Sequence, residues 1–400
     1  MALNNNQIQA VLNEAIAQST GAEEIGALTL QGIIDTGNDP TVIGSKEQFT
    51  KSLLNVLIKN WFTDSAYRST YDDPFFQDSA TYGAITQHIS IELPKAQESH
   101  AWKDIVSGVT KLGEYTVYLP VVHTQVYGKT VSWEIPIAIS GEQWDTAFKN
   151  AEELGAFVAF VHLAVDNGIV CHLKDMDRMN RNNFIAEKFA YAETEGAKGV
   201  HVVNLVEEYA KHSGAEAMTV AEFKNSKEAL NWASMQFKIY ADYMREMSVL
   251  FNTAQRERFT PTDRLVLQVL SSFENDVLAV ATSDTYHKDI VTLPLHQTVP
   301  FWQGLGTKGS FDEVSAINVE GASDGSAIEK SGIVALMVDR WAIMHTIFTR
   351  RVAVQRFEPE DITQYYNQFR DSYVNNLTMN GIVFVLADYA GAAEAVEVAG

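Results

Sequence analysis

Between Ser140 and about Met179, apolar residues recur at three- and four-residue spacing: Trp144, Phe148, Ala151, Leu154, Phe157, Val158, Val161, Ala164, Ile169 and Leu173. That rhythm places them on one stripe of a helix, with Lys149, Glu152, Glu153, Asp166, Lys174 and Asp175 mostly elsewhere. Ser140 and Gln143 make a capping box, in which each side chain takes a backbone N–H that the first turn leaves unpaired. At 1.5 Å per residue, roughly forty helical residues reach about 60 Å, so the element reads as a stiff beam. Its predicted core is Trp144, Phe148, Leu154, Phe157 and Val161. Asp166-Asn167-Gly168 is the predicted kink, because glycine inside a helix costs about 1 kcal/mol relative to alanine.

The rhythm differs before the beam. Residues 6–18 fit a short amphipathic helix followed by an extended arm, and Ser45 with Gln48 opens a capped helix through Phe49, Leu53, Leu57 and Trp61. From Thr63 to Ile139 the period falls to two. Ile85, Ile89, Ile91 and Leu93 alternate with Thr86, His88, Ser90 and Glu92; YTVYLPVVHTQVY follows a polar interruption; a turn at Gly128-Lys129 leads to Val131, Trp133, Ile135, Ile137 and Ile139. A β excursion of this length, apolar but with no evident core of its own, needs something to lie on. Ile85, Ile89, Ile91, Tyr118, Val122, Tyr127 and Trp133 are its candidate contacts with a neighbouring subunit.

After the beam come a β run at 200–203, a helical VEEYAKH, a long helix opening at Ser226, a strand at 265–270, an amphipathic segment at 273–281 and a strand at 290–295. This alternation predicts an α+β lobe. The finish is β-rich, through GIVALMVD, MHTIFTRRVAVQRF and YVNNLTMNGIVFVLAD, with Asn380-Gly381 as a turn dipeptide, and closes on a small, acidic tail.

Charge narrows the partners. Acidic residues number 51 against 30 basic ones, a net charge of −21, and no run of lysine or arginine offsets it. Such a surface repels nucleic acid and anionic membranes. The single cysteine, Cys171, excludes an internal disulfide framework, and no apolar run approaches the ~20 residues of a membrane helix. The first residues lack the basic-then-apolar order of a signal peptide.

Chemistry is sparse. Gly304, Gly306 and Gly309 match the spacing of a dinucleotide loop, but they follow Pro300-Phe301-Trp302-Gln303 and precede polar sequence, which reads as a glycine loop. Cys171-His172 and Asp175/Asp177 do not share helix faces, so they read as a buried thiol and solvated acids. Neither HExxH nor Gly-x-Ser-x-Gly occurs, and the sequon at Asn376 carries no meaning without secretion. No catalytic, metal or cofactor site is predicted.

Two passages carry a resemblance. VHTQVYGKTVSWEIPIAISGEQWDTAF and GIVALMVDRWAIMHTIFTRRVAVQRFEPEDITQYYNQFRDSYVNNLTMNGIVFVLAD are similar to the corresponding parts of phi 29-like podophage capsid proteins, and the order of elements resembles the Hong Kong 97 type of tailed-phage major capsid protein. The likeness covers roughly Ser45 to Asp388. It implies an α+β Hong Kong 97 fold: an N-terminal arm (1–44), a peripheral-domain helix (45–64), an extended β loop (65–139), a spine helix with peripheral domain (140–199), an apical domain (200–330), a peripheral β return (331–388) and a C-terminal tail (389–400). It further implies a structural subunit of the virion, assembling in the host cytoplasm as pentamers and hexamers of itself. Scaffolding and portal proteins are its expected partners, and the shell encloses double-stranded DNA without sequence-specific binding. A nanocompartment shell of the same fold and an acidic two-lobed cytoplasmic enzyme are the alternatives.

Overall fold

The structure is a computed structural model that describes residues 74–77, 86–94, 96, 119–140, 151–194, 196–283, 296–303, 314–320, 327–357 and 360–390. The chain divides into two compact units. Unit 1 takes Met1–Tyr82, Thr130–Arg181 and Met344–Tyr373; unit 2 takes Gly83–Lys129, Asn182–Ile343 and Val374–Gly400. The arm, the helix expected over 45–62, the strand expected over 290–295, the glycine loop at 304–309 and the tail lie outside the described residues, as do Ile85, Tyr118, Trp144 and Phe148.

Unit 1 is built on a four-stranded sheet in the order β1–β11–β12–β4. Its strands are β1 (Phe76–Gln77), β4 (Val131–Ser140), β11 (Ile343–Phe357) and β12 (Ile362–Asn375). Ser140 is the last residue of β4, paired with Ile362 in an antiparallel ladder that runs to Val131 opposite Asp371. The tyrosine-rich ITQYYNQFRDSYVN forms one strand, because Tyr365, Asn367, Phe369 and Asp371 fall on alternate positions and are all buried.

The beam is a single helix, α1 (Ala151–Glu193), of 43 residues. Its helical assignment is unbroken through Gly168. Glycine has another use there: a Cβ would lie 3.2 Å from Ile135 Cδ1, so its absence lets the helix lie close to β4. The helix also runs well past Met179. Phe184, Ile185, Ala186 and Phe189 continue a buried stripe, and the first backbone stop is Gly196 at φ 78°. Residues 151–181 belong to unit 1 and 182–193 to unit 2. Two expectations on this helix are corrected. Cys171 is exposed, not buried. Of the two acids, Asp175 is exposed and pairs with Arg178 at 3.1 Å, whereas Asp177 is buried, because it faces His345.

Unit 2 is organised on a five-stranded mixed sheet, β5–β13–β10–β6–β7. The strands are β5 (Val202–Asn204), β6 (Leu265–Leu270), β7 (Gln297–Val299), β10 (Ile333–Asp339) and β13 (Gly381–Val385). β10 pairs antiparallel with both β13 and β6, and the outer strands β5 and β7 add in parallel. Every residue of β10 and β13 is buried, as uninterrupted apolar runs require. The helices are α2 (Leu205–Ser213), α3 (Val220–Asn225), α4 (Lys227–Arg245) and α5 (Ser271–Ser283). Phe237 of α4 meets Phe384 edge-on at 4.9 Å and Phe273 of α5 at 6.2 Å, which fixes α4 over the sheet. Two small hairpins complete the unit, β2 (Thr86–Ile91) with β3 (Val122–Tyr127) and β8 (Ile317–Glu320) with β9 (Ala327–Lys330).

Asn380-Gly381 is no hairpin turn, because β12 and β13 belong to different sheets. Gly381 is there for packing: a Cβ would come within 2.9 Å of the Phe184 ring and 3.1 Å of Val338.

Candidate assembly surface

A strand on a protein surface ordinarily turns its apolar side inward. The β2–β3 hairpin does the opposite. Its ladder sets Gln87 opposite Val126, Ile89 opposite Thr124 and Ile91 opposite Val122. All six share one face, and Ile89, Ile91, Val122 and Val126 are each more than half exposed. Leu93, Leu119 and Val121, just beyond the paired segment, are exposed as well. Four branched aliphatic side chains in this state present on the order of 400 Å² of contiguous apolar surface, the scale at which a patch on a lone protein marks an interaction site.

The polar side lies against the rest of unit 2. His88, Ser90, His123, Gln125 and Tyr127 are half-buried. Arg256 donates to Ser90 Oγ at 3.4 Å, Thr378 to Gln125 Oε1 at 3.3 Å, and the Tyr127 hydroxyl to the same Gln125 oxygen at 3.1 Å. Beneath them stand Arg256, Arg258 and Arg264 around one buried carboxylate, Asp339, whose oxygen lies 3.1 Å from Arg264. Burial holds the His88 imidazole below its ordinary pKa, and Arg258 and Arg256 push the same way, so at neutral pH it adds no cation to this cluster. Burial raises the Tyr127 phenol. The hairpin is thus fastened by hydrogen bonds and turns its greasy side away.

The sequence-predicted contacts separate in the structure. Ile89, Ile91 and Val122 share the exposed face. Tyr127 lies on the opposite, half-buried face. Trp133 belongs to unit 1, where its ring stacks on Phe369 at 4.1 Å and its indole N–H donates to Asp371 at 2.6 Å. Leu154, Phe157 and Val161 lie within α1, where their side chains are outside what the structure describes. Val126 was missed, although strand parity with Val122 identifies it: residues 122, 124 and 126 must share a side.

Buried ionisable groups could suggest chemistry instead. In unit 1, His345 sits 3.2 Å from Asp177 and 3.7 Å from Asp371, with Tyr373 stacked on it at 4.4 Å. Burial opposes its charge, but the two carboxylates overcome this and lift its pKa to about 9, so it is an imidazolium at neutral pH. In unit 2, Lys188 is fully buried and its ammonium donates to the Phe251 carbonyl at 3.1 Å, beside His201 Nδ1 at 3.3 Å. Burial alone brings its pKa down to about 7. Both groups are closed off: His345 is 1% exposed and Lys188 0%. Neither lines the open groove of about 650 Å³ on the unit 1 sheet, which Thr130, Ser132, Glu134, Arg351, Gln368 and Arg370 help to form. A charged pair that no substrate reaches holds structure together. Among the described residues no cluster of histidine, cysteine or acid could hold a metal, and no helix is long and apolar enough to cross a membrane.

The sequence model of the family described as Phi29-like phage major capsid protein matches residues 8–385. Among solved structures, a chain from the structure of the head fiber and inner core protein gp22 of native bacteriophage P68 is similar at TM-score 0.50 and 10% identity, over 78% of this chain and 83% of that one. A chain from the capsid structure of Staphylococcus phage Andhra is similar at TM-score 0.49 and 10% identity, over 80% and 84%. No curated protein matches this sequence.

Proposed function

We propose, because this chain belongs to the Phi29-like phage major capsid protein family, that the β2–β3 hairpin is the arm by which one capsid subunit grips the next. The chain is a major capsid structural subunit and a virion component, with a mixed helix and sheet fold like that of phage capsids. The finer reading assigns the Hong Kong 97 parts to its elements. The hairpin belongs to the extended loop (65–139), α1 is the spine helix, α2 to α5 with β6 lie in the apical domain (200–330), and β10 to β13 form the peripheral β return (331–388). Copies join in pentamers and hexamers, in the host cytoplasm, around double-stranded DNA and with scaffolding and portal proteins, and the subunit has no catalytic role.

One observation carries this reading: the hairpin wears its apolar face outward while hydrogen bonds hold its polar face. For a lone protein that is a liability; for a subunit it is half of a contact. The strong acidity suits a wall that must not stick to the DNA it encloses.

The test is electron microscopy of the purified chain, alone and with its neighbouring gene products, beside Ile89→Lys and Ile91→Lys. The wild-type chain is expected to give closed shells, sheets or tubes. Each variant is expected to melt as the wild type does and yet remain small. Wild-type particles of one or two chains under every condition would overturn the proposal.

A further inference from the structure

We propose that the arginine cluster beneath the β2–β3 hairpin is a binding site for a small, doubly charged oxyanion, with free inorganic phosphate as the ligand of that class. Every residue of the site lies in unit 2. Arg256, Arg258 and Arg264 come from one loop, RERFTPTDR, and stand around the fully buried carboxylate of Asp339. That carboxylate is already engaged. One oxygen accepts from Arg264 and from the Thr260 hydroxyl, both at 3.1 Å, and the other from the backbone N–H of Trp341 at 3.0 Å. Arg256 and Arg258 hydrogen-bond only to neutral groups. Arg256 reaches the Ser90 hydroxyl at 3.4 Å, and Arg258 reaches the Met379 thioether at 2.9 Å, a weak acceptor. The buried Nε of Arg258 meets no acceptor among the described residues. Burial, and then the neighbouring Arg256, hold Arg258 below the ordinary guanidinium range. A guanidinium nevertheless keeps its proton at neutral pH, so the positive charge is present and under-compensated.

The backbone that carries these side chains is pinned at several points. The buried Asn252 amide accepts from the Arg256 N–H at 3.0 Å and donates to the Arg256 carbonyl at 2.8 Å. Thr253 donates to the Leu377 carbonyl through its N–H at 3.2 Å and its hydroxyl at 3.0 Å. Gln255 is held at φ 52°, in the left-handed region, and its amide donates to the Lys198 carbonyl at 2.8 Å. Arg258 exchanges both backbone hydrogen bonds with Ser248, at 3.0 and 3.1 Å. A non-glycine residue keeps such a conformation only where its surroundings over-determine it. The loop therefore sets its guanidinium groups in place before any ligand arrives, which removes an ordering cost from binding.

Charge and shape select the ligand. The guanidinium groups outnumber the buried carboxylate by two, and His88 adds nothing at neutral pH. Glu257 and Asp263, the acids of the same loop, are exposed to water, where their charge is screened. A surplus of two matches a phosphate better than a singly charged carboxylate. Guanidinium forks give parallel N–H bonds to two oxygens of one anion, which chloride cannot accept. The polar face of the hairpin roofs the cluster, with Ser90 in reach of Arg256, and this suits a free ion over a polymer. A phosphate bound there ties the hairpin to the loop at 252–258, whatever the outer face of the hairpin meets.

Phosphorus NMR titration of the full chain with inorganic phosphate tests this, beside melting curves in phosphate and in sodium chloride of equal ionic strength. The wild-type chain is expected to bind saturably, with a dissociation constant on the order of 1 mM. At about 10 mM phosphate it should melt about 2 °C higher than in the matched chloride. Arg258→Met and Arg256→Gln should each weaken binding about tenfold or more. Arg245→Gln should bind as the wild type does, since Arg245 is engaged elsewhere, with Asp242 at 2.8 Å and the Thr262 hydroxyl at 2.6 Å. If Arg258→Met does not fold, Arg256→Gln decides the question alone. Binding unchanged in a folded variant of either arginine overturns the proposal, as does a wild-type chain on which phosphate acts no differently from chloride. A single-stranded DNA oligonucleotide without a terminal phosphate that displaces the bound phosphate also overturns it, because the site would then take a phosphodiester chain.

Discussion

At the scale of single residues, two buried cations make opposite demands on pH. His345 has its pKa raised from 6.5 to about 9, so its contribution to stability is whole below pH 6.5 and is lost as pH rises through about 9. Asp177, also raised, chiefly by burial, pulls the same way. Lys188 has its pKa lowered from 10.5 to about 7, so its penalty is full below pH 7 and fades as pH rises towards 10.5. The two trends oppose each other between pH 7 and 9, and single variants separate them. His345→Phe leaves two buried carboxylates without their cation, for an expected loss of about 3–5 kcal/mol near neutral pH. Denaturant unfolding should show that this loss shrinks as pH rises, while Lys188→Met should stabilise most in acid and least near pH 10. A His345→Phe deficit unchanged from pH 6 to 10 would show that the site is held by shape alone. Little of this was legible in the sequence. Asp177 reads as one more acid on a helix, since its partner His345 lies 168 positions onward and only the fold brings the two together.

At the scale of elements, periodicity served well where one rule governed the stretch. The beam, the helix opening at Ser226, the strand at 265–270 and the apolar runs of β10 and β13 are all legible in the sequence. The end of the beam was misplaced because RNNFIAEKFAYAE buries polar and apolar residues together, which blurs the stripe. The β12 ladder was hidden because its buried positions include Asn367 and Asp371. Parity within the hairpin makes a sharp test, since Val126 and Tyr127 are adjacent in sequence but on opposite faces. Val126→Lys should abolish assembly and leave the melting temperature nearly unchanged. Tyr127→Ala should lower the melting temperature, because it removes a half-buried ring from the hairpin's inner face together with its hydrogen bond to Gln125 in the same strand. Light scattering and calorimetry on the same two proteins separate the effects. Equal loss of assembly in both, with equal melting, would mean that strand parity does not decide the contact.

At the scale of the whole molecule, the net charge of −21 sets a standing cost on bringing copies together. Salt shortens the reach of that repulsion, with a Debye length of roughly 10 Å at 0.1 M and 3 Å at 1 M. Contacts made of apolar side chains are not weakened by the same change. The yield of sedimenting particles should therefore rise with sodium chloride between about 0.05 and 0.5 M. A fall would mean that ion pairs between copies carry the assembly and would sink the apolar-contact reading. The family and the shell role were legible from the order of elements and from two passages of sequence. The surfaces were only half legible, because exposure is a property of the folded chain: Trp133 and Ile91 look alike in an alternating strand, and one is stacked on Phe369 while the other faces solvent.

The outward-facing hairpin also makes the free subunit resemble a detergent molecule, with a wetted side and an oily one. A solution of such molecules tolerates monomers only up to a threshold, after which added material enters particles and the monomer level stays flat. On the proposed reading, the rate at which the chain is synthesised then sets how many particles form, not how many loose subunits accumulate.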